Sequence, residues 1–393
     1  MKAVTDMDPQ GLREHKEEFL HVLTAWFMAE HRDLPWRNLN VPNPYHVWIS
    51  EIMLQQTRVT AVIDYFRRFT DEIPDIATLA GVPDDRLMKL WEGLGYYSRA
   101  RNLKRCAQVI MQDHKGTMPR DPAVLAKLPG IGPYTAGAIA SIAFGVPKAA
   151  VDGNVLRVFS RLLADRSDIS KDSTKKAYTE LLDELLPYAQ NAGHINQAIM
   201  DLGATICIPG GEARCSLCPV EGFCKARREG ITGELPVKQR AQSRRREHRV
   251  ILILTKDGKV LVDKRPERGL LAGLYEYPGA AITPKQMEDF EQGISEKRAL
   301  KAYVSLFGEL GLTAKKARFA LRSKHFFSHI EWEMIGLYVE TEDPFDAKAL
   351  AERNRYFADA GELKERYALP GAFSAYTNEF LNRRGDIDGS HET

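Results

Sequence analysis

No stretch of this chain approaches the run of about 18 uninterrupted apolar residues that a membrane-spanning helix needs. The opening residues, MKAVTDMDPQGLREHKEEF, lack the apolar core of a signal peptide and are too acidic for a transit peptide, so export is not expected. Cysteine is scarce, with five in 393 residues, which argues against a disulfide framework. Excess charge is scarce as well: the formal net charge is +2. A protein that coats a polyanion with its whole surface would be more basic, so any contact with nucleic acid must come from local patches. No internal repeat is visible.

What is present is the balance of a soluble globular protein, 44% hydrophobic and 27% charged, over a length that suggests two domains. Residues 1–235 read as helical. Apolar positions recur at spacings of three and four from Val47 to Phe66, and similar patterns cover Leu87 to Met111, Tyr134 to Phe144 and Tyr178 to Leu202. Pro44, Pro74, Pro83, Pro119, Pro122 and Pro133 fall between these runs or at their starts. Residues 236–249 read as a basic linker, in which Lys238, Arg240, Arg244, Arg245, Arg246 and Arg249 face only one acid, Glu247. Beyond it, Val250–Thr255 and Lys259–Asp263 flank Asp257-Gly258, a hairpin signal, and Glu331–Glu340 reads as a further strand. Residues 250–380 thus form an α+β domain, followed by a polar tail over 381–393.

Four of the five cysteines, Cys207, Cys215, Cys218 and Cys224, crowd into one short segment with seven, two and five residues between them. Four thiolates at such spacing hold zinc or an iron–sulfur cluster. Cys106, on a helix with apolar neighbours, reads as a structural thiol. Upstream, residues 128–137 read Leu-Pro-Gly-Ile-Gly-Pro-Tyr-Thr-Ala-Gly. Gly130 and Gly132 precede a helix, so backbone amides and the helix terminus together suit a phosphate. Taken alone the pair is more often an ordinary turn between helices. Asp152, in Val-Asp-Gly-Asn-Val, is taken alone a plain helix cap. Glu51 sits among Trp48, Ile49, Ile52 and Met53 on a helix, four residues before Gln55 and on the same face. A carboxyl in such apolar surroundings has a raised pKa and acts as an acid near neutral pH.

The run from Leu128 to Asn154 resembles the helix–hairpin–helix DNA glycosylases. Together with Leu-Pro-Trp-Arg (34–37), Ser-Glu-Ile-Met-Leu-Gln-Gln-Thr (50–57), Tyr134 and Asp-Gly-Asn (152–154), it resembles the adenine DNA glycosylases, the MutY family, over essentially the whole chain. The resemblance implies an all-α helix–hairpin–helix domain, with the hairpin over about 122–144 and an iron–sulfur loop at 207–224, joined to a Nudix-like α+β domain. It implies monofunctional removal of adenine mispaired with 8-oxoguanine or guanine in duplex DNA. Lyase relatives carry a Lys where this chain has Tyr134, and tyrosine cannot form a Schiff base.

Carried over residue by residue, the resemblance makes Glu51 the proton donor to the departing adenine and Asp152 the stabiliser of the sugar cation. Tyr134 and Asn154 position Asp152 and the sugar. Trp36 and Arg37 line the base pocket. Gln56, Thr57, Leu94 and Tyr96 contact DNA beside the opposing base, and Gly130 and Gly132 grip the backbone. Phe327, Ser328 and His329 read 8-oxoguanine, whose N7–H guanine lacks. The four cysteines hold [4Fe–4S], although the family has six residues between the first two and here there are seven, with only Arg214 positive among them. The helix that would carry a Nudix acidic set falls over Val304–Leu312 and keeps only Glu309, so that domain is expected to be catalytically silent. The expected setting is a monomer in the bacterial cytoplasm, associated with the nucleoid and with no membrane.

Overall fold

The structure, a computed structural model, describes residues 8–239, 244–291, 316–341 and 346–388. The chain divides into two compact units, one of residues 1–82 and 98–240, the other of residues 83–97 and 241–393. No helix among the described residues is long and apolar enough to cross a membrane.

The first unit is helical. Its centre is the Ala192–Thr205 helix, which packs against Lys16–Glu30 and Gly153–Leu162. Phe19, Phe27, Phe159, Leu182, Ile195 and Phe223 are among its fully buried core residues. The apolar periodicity from Val47 to Phe66 resolves into two helices, Pro44–Leu54 and Val59–Glu72. Asn43 opens the first by accepting from the backbone N–H groups of Tyr45 and His46, with Pro44 at the first helical position. The buried guanidinium of Arg99 ends it, donating to the carbonyls of Ile52, Met53 and Gln55 at 2.7, 3.0 and 2.7 Å. These are carbonyls that a helix terminus leaves without intrahelical partners. The run from Leu87 to Met111 likewise breaks in two, because Gly93, Gly95 and Tyr96 all adopt positive φ between Asp84–Leu90 and Ser98–Asp113.

In the second unit seven strands among the described residues form one mixed sheet: β1 (Arg245–Lys256), β2 (Lys259–Lys264), β3 (Tyr275–Glu276), β4 (Gly279–Ile282), β5 (Lys316–Phe326), β6 (Ile330–Glu340) and β7 (Arg355–Ala358). The main path runs β3-β2-β1-β6-β5, with β4 on β1 and β7 on β2. β1 and β6 run parallel, from Arg245 opposite Ile330 to Thr255 opposite Glu340. Asp257 and Gly258, both at positive φ, make the expected turn between β1 and β2. One sheet face buries Leu252, Ile335 and Leu337. The other buries Trp332, Tyr277, Phe373 and Tyr376. Gly336 is needed there, because a Cβ would stand 2.5 Å from the Tyr376 ring.

Two segments differ from the sequence reading. The stretch read as a basic linker to residue 249 is strand from Arg245 onward. Its charges are absorbed by neighbours that periodicity cannot reveal: Glu247 accepts from Trp332 Nε1 at 2.9 Å, His248 lies 3.3 Å from Glu333, and Arg249 stacks 4.5 Å from the centre of the Trp332 ring. The tail read from residue 381 is helical through Asp388, as part of Ser374–Asp388. The helix expected over Val304–Leu312 lies outside the described residues.

Candidate active site

A cavity of about 610 Å³ in the first unit brings together Glu51, Tyr134, Asp152, Asn154, Arg37 and Trp36. Four separate segments supply them, and each is fixed locally. Glu51 lies on Pro44–Leu54, inside a continuous block of buried residues. Tyr134 lies in the first turn of Pro133–Ala138, and its hydroxyl donates to Glu51 Oε2 at 2.6 Å. Gly137, one turn on, permits the closest approach of all: a Cβ there would stand 2.1 Å from the carbonyl oxygen of Ala149. The hairpin helix is thereby pressed against the segment that leads to Asp152. The helix then continues as a π-turn over Ile139–Ala143, whose Ser141 accepts from Asn196 at 2.8 Å.

Asp152 is both a helix cap and a member of the cavity. Oδ1 accepts from the backbone N–H of Asn154 and Val155 at 2.9 and 2.8 Å, which caps Gly153–Leu162. Oδ2 accepts from the Asn154 amide at 2.7 Å. The capping bonds therefore orient the carboxylate instead of competing with its role. Arg157 extends the chain of bonds. It donates to Asn154 Oδ1 at 2.9 Å, to the Gly203 carbonyl at 2.6 Å and to the Cys207 carbonyl at 2.8 Å. The first cysteine of the cluster motif is thus tied to the residue that orients Asp152.

The two carboxyl groups are set apart electrostatically. Burial pushes the Glu51 carboxyl up to about 7, with the nearby Asp152 charge adding to the rise, while the Tyr134 hydrogen bond and the Arg37 charge oppose it. Burial raises Asp152 as well, against the pull of its two backbone N–H donors, the Asn154 amide and Arg157. Both carboxyls are thus raised by burial; the bonds that oppose the rise at Asp152 come from the two backbone N–H groups, the Asn154 amide and Arg157, and at Glu51 from the Tyr134 hydroxyl and the Arg37 charge. Tyr134 is held far above its ordinary range by burial and by both carboxylates, so it stays a donor.

Arg37 is nearly buried and packs over the Phe27 ring at 5.3 Å. Trp36 is buried edge-on to Phe66, with ring centres 5.3 Å apart. Gln56 is exposed with φ of 59°, and Thr57 accepts from Arg99 at 3.4 Å; both line the cavity. Gln55, expected on the helix face of Glu51, lies just past the helix end and bonds Thr135 at 3.4 Å. Gly132 borders the cavity at an ordinary extended φ with open space where a Cβ would go. Only Gly130 of the pair needs glycine: φ is +76°, and a Cβ would meet Asn102 at 2.7 Å.

In the second unit Leu94 is buried, whereas Tyr96 is exposed and held at φ of 48°, unusual for a bulky residue. Ser328 and His329 are exposed at the turn between β5 and β6. Phe327 anchors that turn, 4.9 Å from the Trp332 ring and 4.7 Å from His325. The Tyr96 hydroxyl lies 3.1 Å from Ser328 Oγ.

The four cysteines border one small cavity together with Arg161 and Arg227. The loop is built from short turns, Cys215–Leu217 and Glu221–Phe223, and Arg161 donates to Cys207 Sγ at 3.2 Å. Among the described residues no three His, Cys, Asp or Glu side chains converge on a single-ion site. Four thiols around one cavity are the donor chemistry that holds zinc or an iron–sulfur cluster.

Sequence reasoning passed over Asp201, Arg32, Arg157 and Arg161. Asp201 is a lone acid in an apolar helix, and its partners lie more than 160 positions away. Nothing local marks it. The signal available was a buried-face position on Ala192–Thr205 filled by a charge, which demands a partner.

Comparison with known proteins gives two family matches. Residues 49–184 match the HhH-GPD superfamily of base excision DNA repair proteins, and residues 249–379 match the NUDIX domain. The chain is 36% identical to the mouse adenine DNA glycosylase over 324 residues, covering 70% of this chain and 62% of the mouse protein. It is 34% identical to the human adenine DNA glycosylase, covering 82% of this chain and 67% of that protein. It is 33% identical to the adenine DNA glycosylase of Schizosaccharomyces pombe, covering 80% of each. Relatives at this level occur in mammals, yeast and Buchnera aphidicola alike, so the similarity does not by itself indicate the source.

Proposed function

The chain belongs to the adenine DNA glycosylase family of base excision repair, and on that premise we propose that it hydrolyses the N-glycosidic bond of adenine paired with 8-oxoguanine or guanine in duplex DNA. The observation that carries this reading is the pairing of Glu51 and Asp152 in one cavity, with the Glu51 carboxyl raised by burial and the Asp152 carboxylate bonded by the Asn154 amide and two backbone N–H groups.

Adenine must leave the helical stack before it can enter a cavity, at a cost of about a few kcal/mol. Glu51 then gives its proton to N7 of the base. The bond between C1′ and N9 breaks with its electron pair leaving on adenine. Positive charge develops on the sugar and is met by Asp152, which Asn154 and the backbone N–H groups of residues 154 and 155 hold in place. Water adds to C1′ and its proton returns to Glu51, leaving an abasic site and free adenine. Tyr134 donates to Glu51 and keeps the carboxyl in one orientation. No lysine is among the residues lining the cavity, which speaks for hydrolysis without strand cleavage.

Cys207, Cys215, Cys218 and Cys224 would hold a [4Fe–4S] cluster. When bound, the cluster supplies a covalent cross-link of the loop that ends at residue 224. Arg157 transmits the position of Cys207 to Asn154. Phe327, Ser328 and His329 would read the base opposite adenine, with the Ser328 hydroxyl accepting from N7–H of 8-oxoguanine. Gln56, Thr57, Tyr96, Gly130 and Gly132 would contact the duplex.

Single-turnover reaction of a duplex carrying one 8-oxoguanine·adenine pair tests this. Breaks at the adenine that appear only after hot alkali are expected. Breaks without alkali would replace the reading with a lyase, and no breaks at all would remove the catalytic role.

A further inference from the structure

Glu51 has more charge around it than the reaction uses. The titratable and charged groups facing it are Tyr134 from the hairpin helix, Asp152 from the cap of Gly153–Leu162, and Arg37 from the turn after Leu34. Arg37 does not stand alone. It donates to Asp201 Oδ2 at 2.7 Å and to Oδ1 at 3.1 Å. Arg32 donates to Oδ1 of the same carboxylate through Nε and Nη2, at 2.9 and 2.6 Å, and through its backbone N–H to Oδ2 at 3.2 Å. Arg37 also donates to the Arg32 carbonyl at 2.9 Å. Asp201 is 1% exposed. The Arg37 Nε has no hydrogen-bond partner among the described residues, although it is buried.

We propose that Asp201 is a positioning residue for the general acid: the buried Arg32–Asp201–Arg37 triad fixes Arg37 at the wall of the cavity and sets the net charge that Glu51 meets. The proposal rests on the function given above. Asp201 does not touch the reacting atoms and acts through Arg37. Four acceptor bonds from two guanidinium groups leave its carboxylate no freedom to rotate, and they hold it below the ordinary aspartate range although burial alone would raise it. Two cations against one anion leave the triad with one positive charge in excess. That excess favours the ionised form of Glu51 and so limits how strongly burial raises it. Removing the anion strengthens this effect, and removing the outer cation weakens it.

The sign is the test. Glu51 acts while protonated, so base release falls as pH rises through its pKa. Single-turnover base release from the 8-oxoguanine·adenine duplex is measured from about pH 5 to about pH 9 for wild type, Asp201→Asn and Arg32→Gln. Asp201→Asn leaves two unneutralised guanidinium groups and is expected to move the alkaline limb down by about half a pH unit or more. Arg32→Gln leaves a neutral pair and is expected to move the limb up. A purely structural role would lower the rate in both variants with the limb in place, or move both the same way, and either result overturns the proposal. Should Asp201→Asn fail to fold, Arg32→Gln alone decides the sign, because the Arg32 side chain is 26% exposed and can be changed without opening the core. A wild-type protein that releases no base overturns the parent reading instead, and is told apart by the absence of any pH profile.

Discussion

Glu51 and Asp201 are 7% and 1% exposed, whereas Ser328 and His329 stand in solvent at the turn between β5 and β6. The helical unit buries the candidate acid and its supporting triad, and the sheet unit leaves its candidate readers exposed. The contrast follows from the task each is given. A carboxyl that donates a proton near neutral pH needs its pKa raised, and at Glu51 burial is the largest cause of the rise. A group that reads a base in a large duplex must stay open to a partner of that size. Rigidity is obtained differently in the two places. In the cavity the acting atoms are bonded directly, as Glu51 is to Tyr134 and Asp152 to Asn154. At the turn the support lies beneath: Phe327 rests on Trp332, and the Arg245 N–H donates to the His329 carbonyl at 3.0 Å. Removing a group from the cavity should therefore cost far more than removing one from the turn.

The largest effect is expected from Asp152→Asn. Base release should fall by about a thousandfold or more, because the developing cation loses its counter-charge, while duplex binding stays within about threefold. Gel-shift titration beside single-turnover kinetics checks both halves, and unchanged activity would remove Asp152 from the mechanism. Glu51→Gln comes next, with a loss of about a hundredfold to ten-thousandfold. It should also erase the alkaline limb expected of wild type with a midpoint near pH 7, the value to which burial raises Glu51. A limb that persists in the variant would assign that titration to another group.

Tyr134→Phe should be milder, about tenfold in rate. Its hydrogen bond favours the Glu51 carboxylate, so losing it should move the alkaline limb to higher pH. A shift to lower pH would show that Tyr134 stabilises the protonated form. The smallest effect belongs to the turn. Ser328→Ala removes one hydrogen bond at an exposed position and should narrow the preference for 8-oxoguanine over guanine by about twofold to tenfold, leaving the maximal rate in place. An unaltered ratio would mean that the turn does not read the opposite base and would break the contrast between the two units.

Several features were legible in the chain because they are local. The cap at Asp152 and its bond to Asn154 need residues two and three positions apart, so Asp-Gly-Asn announces them. The Asp257-Gly258 turn specifies the β1–β2 hairpin because both positions require positive φ. The cysteine spacing marks one cavity since the four residues are joined by short turns. Other features were hidden because long-range packing makes them. Arg245 to Arg249 look like linker until β6 supplies Glu331, Trp332 and Glu333 beside them. The break before Tyr96 and the one at Gln56 interrupt patterns whose periodicity continues across them.

Residue types and spacings alone marked the cap at Asp152 and the thiol set, whereas the roles of Glu51, Asp152, Gly130 and Gly132 came from the family resemblance. Which carboxyl holds the proton was decided by tertiary structure. That depends on burying Glu51, on Tyr134 arriving from 83 positions away, and on Arg37, held by Asp201 from 164 positions away. Protonation follows desolvation and the sum of nearby charges, and those are properties of the folded neighbourhood that no local stretch of chain contains.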